Sequence, residues 1–279
     1  MIKVYRDETG CTMVQGEEAF RINGFSIDDL FQEKDPYAWL SGLCEGSASI
    51  ELMAEPESQA WLPPIGSQEI WAAGVTYFRS REARMEEAEN AGGDVFYDKV
   101  YDADRPELFF KATPARARGH RAGIRIRRDS EWDVPEPELT LAINRDGRIF
   151  GFTIGDDVSS RSIEGENPLY LPQAKVYKGS CAIGPALCVT EGPLPKETTI
   201  RLEILRAGAE GFTGETRLDQ LKRGLDELVG YLFDENEFPE GSYLMTGTGI
   251  VPDDFTLAAG DEVRISIEGL GTLINTVEA

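Results

Sequence analysis

The sequence predicts a β-rich α+β protein. Short apolar runs bounded by turn residues recur along most of the 279 residues, and an Asp146-Gly147 pair sits between two such runs. Helical spacing of apolar residues is confined to a few segments, and there is no repeat of 20 to 50 residues and no low-complexity tract.

Residues 1 to 22 alternate around the turn signals DETG and QGEE and read as strands. SIDDLFQEKDPYAWLSGL then places apolar residues at helical spacing behind Ser26, whose hydroxyl suits an N-cap. These make a small N-terminal α+β unit. The run WLPPIGSQE, with two prolines and a glycine, is the candidate linker, so the chain divides into residues 1–65 and 66–279.

Beyond the linker, EIWAAGVTY reads as a strand, SREARMEEAENAGG as a charged helix ended by Gly92-Gly93, and ELFFKATP as a buried strand. A helix polar on most faces is a solvated flank or a mobile lid, and the lid reading covers residues 84 to 104. The arginine-rich stretch RARGHRAGIRIRRD reads as a solvated arm, with attraction of an anionic substrate as the alternative. After residue 195 come the strands TTIRLEILRAG and GFTGETRL, a helix over LDQLKRGLDELVGYLF, the loop PEGSYLMTGTGIVPDD, and a last strand pair, EVRISIEGL and GTLINTVE. Gly247-Thr248-Gly249 lacks the strand, turn and helix context of a dinucleotide fingerprint, which excludes a Rossmann reading.

Composition narrows the function classes. A formal net charge of -22 repels nucleic acid and anionic lipid, so neither is an expected partner. The scarcity of lysine among the cations fits either a salt-rich cytosol or a GC-rich genome. No stretch approaches the roughly 18 apolar residues of a membrane span, and MIKVYRDETG has no apolar leader, so the expected location is cytoplasmic. Four widely spaced cysteines without a C-x-x-C pair read as small buried residues in a reducing compartment. The one histidine, His120, lies in a basic glycine-flanked loop and reads as solvated; any scheme needing two histidines from one chain is excluded.

The hairpin around Asp146-Gly147 makes the sharpest local prediction. If those two residues form a type I′ turn, Leu139 faces Ile154, Leu141 faces Phe152 and Ile143 faces Phe150, three apolar pairs on one face. The other face receives Thr140 with Thr153 and Ala142 with Gly151. At its open end Glu136 lies opposite Asp157, with Glu138 diagonal to it. Like charges at cross-strand distances of about 5 Å repel unless something neutralises them. A divalent cation does so, and hard oxygen ligands without histidine or cysteine favour magnesium, manganese or calcium. Pro135 and Pro137 lack amide donors, which frays the ladder there and frees the carboxylates to turn toward an ion. In an acidic chain the bland alternative is a solvated acidic face.

The ordered set E-P-E-L, G-D-D-V-S-S-R (155 to 161), Lys175, Gly184-Pro185 and Gly247-Thr248 resembles the fumarylacetoacetate hydrolase superfamily over roughly residues 70 to 270. That resemblance implies a catalytic domain of rolled, mixed β-sheets over residues 66–279, assembled as a homodimer or homotetramer. It also implies that Glu136, Glu138 and Asp157 bind Mg2+ or Mn2+, as the hairpin suggests independently. Hydrolytic members carry G-x-N-Y-x-x-H-x-x-E near the start of this domain; here Ser80 and Ala83 stand where the water-activating His and Glu should be.

The runs GVTYFRSREARMEE, RPELFFKATP and SRSIEGENPLYLPQAKVY are similar to a branch that lacks that pair and dehydrates 2-keto-3-deoxy-D-arabinonate (2-dehydro-3-deoxy-D-pentonate) to 2,5-dioxopentanoate. The implied reaction forms an enolate and expels the C4 hydroxyl, so water is a product. The implied partner is a small 2-keto-3-deoxy sugar acid. Lys175 and Glu107 are the candidate proton-transfer pair, with base and acid unassigned. Arg79, Ser80, Lys111, Arg161 and Thr248 are the candidates for binding substrate carboxylate and hydroxyls. The alternative activity is hydrolysis of carbon-carbon bonds in acylpyruvates or 2,4-diketo acids; a non-catalytic protein holding a structural ion is a third.

Overall fold

A computed structural model of the chain describes residues 1–51, 56–77, 100–252 and 254–278. Two open mixed sheets dominate it. The larger runs β4 (Ser49–Ile50), β3 (Glu18–Arg21), β2 (Gly10–Gln15), β1 (Ile2–Asp7), β13 (Cys181–Val189), β11 (Ile149–Asp157), β10 (Pro137–Ile143), β16 (Ser242–Met245), β5 (Glu69–Gly74), β6 (Glu107–Ala112), with β7 (Ala117–Arg118) parallel to β13. The smaller runs β15 (Ala209–Arg217), β14 (Thr199–Arg206), β17 (Glu262–Ile267), β18 (Gly271–Glu278), β8 (Gly123–Arg125). A two-stranded ribbon joins β9 (Asp133–Val134) to β12 (Ser159–Ser160). The fold class is the expected β-rich α+β.

Alternation along β10 and β11 sorts their side chains into two cores. Leu139, Leu141, Phe152 and Ile154 pack with Ile200, Leu202, Ile204 and Ile265 of the smaller sheet and with Leu228 and Leu232. Ala142 and Phe150 pack on the opposite side with Leu30, Phe31, Leu40 and Tyr243. Burial on both faces explains why β10, β11 and β13 read as near-continuous apolar runs.

The segment 1–65 is not a separate sheet, because β1 hydrogen-bonds to β13 and so continues the larger one. The predicted first helix is two: α1 (Ile27–Gln32), closed by a capping box of Ser26 and Asp29, and α2 (Pro36–Glu45), begun by Asp35 with Pro36 at its first position. Proline cannot continue a helix already under way, so the run breaks there. Likewise the helix predicted from residue 218 reduces to a 3-10 turn at Leu218–Gln220 and a helix at Leu225–Phe233 that starts at Gly224.

Two loop expectations are corrected. The arginine-rich stretch is not a solvated arm: β7 and β8 tie it to both sheets, and Gly119 lies so close to the Trp61 carbonyl that a Cβ there would come within 2.1 Å. His120 within it is buried, its Nε2 3.0 Å from the Glu57 carbonyl and its Nδ1 accepting from the Ile274 amide at 3.2 Å. Its ring braces the 3-10 turn Pro56–Ser58 against β18 of the smaller sheet. All four cysteines are buried and free. No helix among the described residues is long and apolar enough to cross a membrane.

Candidate active site

The β10–β11 hairpin pairs Leu139 with Ile154, Leu141 with Phe152, Thr140 with Thr153 and Ala142 with Gly151, as predicted. The register slips beyond Ala142, where Ile143 pairs with Ile149 instead of Phe150. The cause is at the turn. Gly147 has φ 76° while Asp146 has no positive φ, and the Gly147 amide donates to the Asn144 carbonyl at 3.0 Å, which makes a three-residue loop closed by a bulge and not a type I′ turn. Asn144 Oδ1 accepts from the amides of Asp146 and Arg148, an alternative to ladder pairing that the two-residue prediction left out. The extra residue turns Phe150 to the far core, where its ring packs edge-on to Phe31.

The slip lies at the turn end, so the open end keeps its predicted register. The Asp157 amide donates to the Glu136 carbonyl at 3.0 Å, and Glu138 pairs with Gly155. Glu136, Glu138 and Asp157 converge there, each buried, with one carboxylate oxygen from each within 4.8 Å of the others. Glu138 Oε2 accepts from the Gly247 amide at 2.6 Å. Burial, then the charges of Asp157 and Glu136, holds the Glu138 carboxyl well above the usual carboxylate range. Burial likewise pushes Asp156, whose Oδ1 accepts from the Glu136 amide at 3.1 Å, up to about 8.

Three cations answer the cluster. Lys175, the last residue of a short helix Leu171–Lys175, donates from Nζ to Glu136 Oε2 at 2.6 Å, Asp157 Oδ2 at 3.0 Å and Ser159 Oγ at 2.6 Å. Arg161 Nη2 lies 2.7 Å from Glu136 Oε1. Lys111, fully buried on β6, pairs with Asp157 Oδ1 and donates to the carbonyls of Val158 at 3.2 Å and Lys175 at 2.6 Å. The Lys175 ammonium also stands 5.6 Å from the centre of the Phe109 ring.

These side chains line a cavity of about 10 Å³, bounded by Ala73, Gly74, Val75, Phe109, Glu136, Glu138, Asp157, Arg161, Lys175, Gly247 and Thr248. Glu107 faces Gly74 across the β5–β6 ladder, and its carboxylate occupies the space a Cβ at Gly74 would take. Of the candidates named from sequence, Glu136, Glu138, Asp157, Lys175, Arg161 and Thr248 share this cavity, while Glu107 abuts its Gly74 wall and Lys111 stands behind Asp157. Arg79, Ser80 and most of the lid segment lie outside the described residues. Two members of the site went unassigned in the sequence reading. Ser159 sits in the quoted G-D-D-V-S-S-R run, and its signal was adjacency to Asp157; Glu164 is three residues beyond Arg161 on a helix too short to show periodicity.

The residues present fit a divalent ion. One carboxylate oxygen from each of Glu136, Glu138 and Asp157 lies within 4.8 Å of the others, near enough for side-chain rotation to bring all three onto one small hard cation. The donors are hard oxygens, and the tight amide contact at Glu138 fixes one of them in place.

A family model described as fumarylacetoacetate (FAA) hydrolase C-terminal matches residues 70–278. The chain belongs to the fumarylacetoacetate hydrolase family. Within this family, a probable 2-keto-3-deoxyxylonate dehydratase of Haloferax volcanii is 51% identical over 216 residues, 77% of this chain and 73% of the relative. A 2-dehydro-3-deoxy-D-arabinonate dehydratase of Saccharolobus solfataricus is 46% identical over 218 residues, again 77% and 73%. A solved 2-keto-3-deoxy-D-arabinonate dehydratase, complexed with magnesium and 2,5-dioxopentanoate, superposes with a TM-score of 0.83 at 35% identity, covering 99% of this chain and 98% of that one.

Proposed function

We propose that the chain is a divalent-metal-dependent hydro-lyase that converts 2-keto-3-deoxy-D-arabinonate to 2,5-dioxopentanoate. The observation that carries this reading is the buried oxygen triad with Lys175 across two of its members, in a chain whose dehydratase relatives reach 51% identity. Glu136, Glu138 and Asp157 would hold Mg2+ or Mn2+, and such an ion supplies Lewis-acid polarisation of the substrate's 2-keto oxygen, which acidifies the C3 protons.

The chain's own residues move the protons. Of Lys175 and Glu107, one takes a proton from C3 and the other delivers one to the C4 hydroxyl, which departs as water. Loss of a C5 proton and tautomerisation then give the aldehyde. Arg161 and Thr248, on the cavity wall, bind the substrate carboxylate and hydroxyls, together with Arg79 and Ser80, while Lys111 holds Asp157.

In the same reading, residues 1–65 form an N-terminal unit and 66–279 the catalytic domain, and the protein works in the cytoplasm as a homodimer or homotetramer. Light scattering behind size exclusion measures the last of these. The activity test is a coupled assay for 2,5-dioxopentanoate from 2-keto-3-deoxypentonates, with and without EDTA. Turnover lost on chelation and restored by Mg2+ is expected. Cleavage of acylpyruvates without pentonate dehydration, or full turnover after thorough metal stripping, overturns the proposal.

A further inference from the structure

Both oxygens of Glu136 and both of Asp157 already carry a cationic partner. Glu136 meets Arg161 at Oε1 and Lys175 at Oε2, and Asp157 meets Lys111 at Oδ1 and Lys175 at Oδ2. A divalent ion held by these carboxylates therefore competes with Lys175 and Arg161 for the same oxygens. Cations displaced from their partners inside a protein need another anion nearby, because a buried charge left without a partner is strongly destabilising.

Glu164 is that anion. Its side chain is 1% exposed, it stands outside the convergent oxygen triad, and it faces both cations at once. Oε2 lies 3.7 Å from Arg161 Nη1 and Oε1 lies 4.0 Å from Lys175 Nζ. These separations attract but exceed hydrogen-bond length, so a small shift of either cation converts an ion pair into a hydrogen bond. The placement follows from the helix Arg161–Glu166, in which positions three apart share a face and Ser160 Oγ accepts from the Ile163 amide at 3.3 Å.

We infer that Glu164 is a positioning residue, the counter-anion that receives Arg161 and Lys175 when Glu136 and Asp157 commit their oxygens to the metal. The inference rests on the metal-centre reading above. It acts through the two cations: without Glu164, Lys175 and Arg161 hold the ligand carboxylates more firmly and the ion binds less well.

The test is a calorimetric titration of EDTA-stripped full-length protein with Mn2+ and no substrate. Glu164→Gln is expected to weaken the Mn2+ Kd by about five- to tenfold. In a Lys175→Met background, where one of the two competing cations is gone, the same substitution is expected to change Kd by a clearly smaller factor, about two- to threefold through Arg161 alone, a non-additivity that a double-mutant cycle reads directly. An unchanged Kd with a lowered Tm means a structural ion pair only and overturns the inference. An equal weakening in both backgrounds means simple loss of charge and overturns it too. If Glu164→Gln does not fold, Glu164→Asp replaces it, with a loss of about two- to fivefold expected in the native background alone; no change there overturns the inference. The wild-type dehydratase assay reports separately on the proposed function, so the two can fail independently.

Discussion

At the scale of single residues the site is a balance of buried charges. Glu138 is held protonated more readily in the fold than in the unfolded chain, first by burial and then by Asp157 and Glu136, and burial takes Asp156 up to about 8. A carboxyl whose folded pKa is raised contributes stability that is complete below its unfolded value, about 4, and is lost as the pH rises through the folded one. In EDTA, Tm should therefore fall between pH 5 and 8.5, with the Asp156 share disappearing in Asp156→Asn. Added Mg2+ should raise Tm more at pH 8 than at pH 5, because it neutralises the oxygens that the higher pH ionises. A Tm that climbs steadily over this range without metal contradicts the assignment. Glu138→Gln keeps the shape but removes a ligand charge, and should cost at least about tenfold in Mn2+ affinity, a magnitude typical of changes close around a bound metal.

At the scale of elements, Gly74 is where the sheet makes room for Glu107. A Cβ at that position would lie 2.0 Å from Glu107 Oε2, which is side chain and able to move, so the fold can accommodate the intrusion while the carboxylate cannot stay where it is. Gly74→Ala is expected to lower kcat at least tenfold with a Tm change of only a few degrees, consistent with a glycine-to-alanine step in a strand being worth about 1 kcal/mol in backbone terms. Unchanged kcat would remove Glu107 from the proton-transfer pair. The β10–β11 hairpin also marks how far the sequence is legible. Alternation gives the Leu139–Ile154 to Ala142–Gly151 register and hence the convergence of Glu136, Glu138 and Asp157, because that end depends only on period-two side-chain placement. The turn end depends on how Asn144 spends its side-chain oxygen, a choice between near-equal local structures that the dipeptide Asp-Gly does not reveal. Features set by distant partners were equally hidden: Ser159 and the buried His120 take their meaning from residues 16 and 154 positions away, and Glu164 from Lys175, beyond the end of its own short helix.

At the scale of the whole molecule, the net charge of -22 is spread over a surface on which some cations are tied to neighbouring carboxylates, as in Arg21 with Asp7 and Arg206 with Asp261. Self-repulsion of that size acts over the Debye length, about 10 Å at 0.1 M salt and about 3 Å at 1 M. Raising KCl from 0.1 to 1 M should therefore raise Tm by several degrees, measured by differential scanning fluorimetry at fixed Mg2+. A flat or falling curve indicates that self-repulsion contributes little to the stability of this fold.

The seam between β1 and β13 carries one more consequence. On its other side β13 lies against β11, with Cys181 opposite Asp157, so the first strand of the chain is zipped to the neighbour of the strand that carries Asp157. Cutting the polypeptide after residue 65 would strip the cover from one margin of β13 and present its amides and carbonyls, flanked by Leu187 and Val189, to any other chain. Residues 66–279 made alone should therefore clump on concentration, and adding residues 1–65 as a separate peptide should dissolve the aggregate and return turnover.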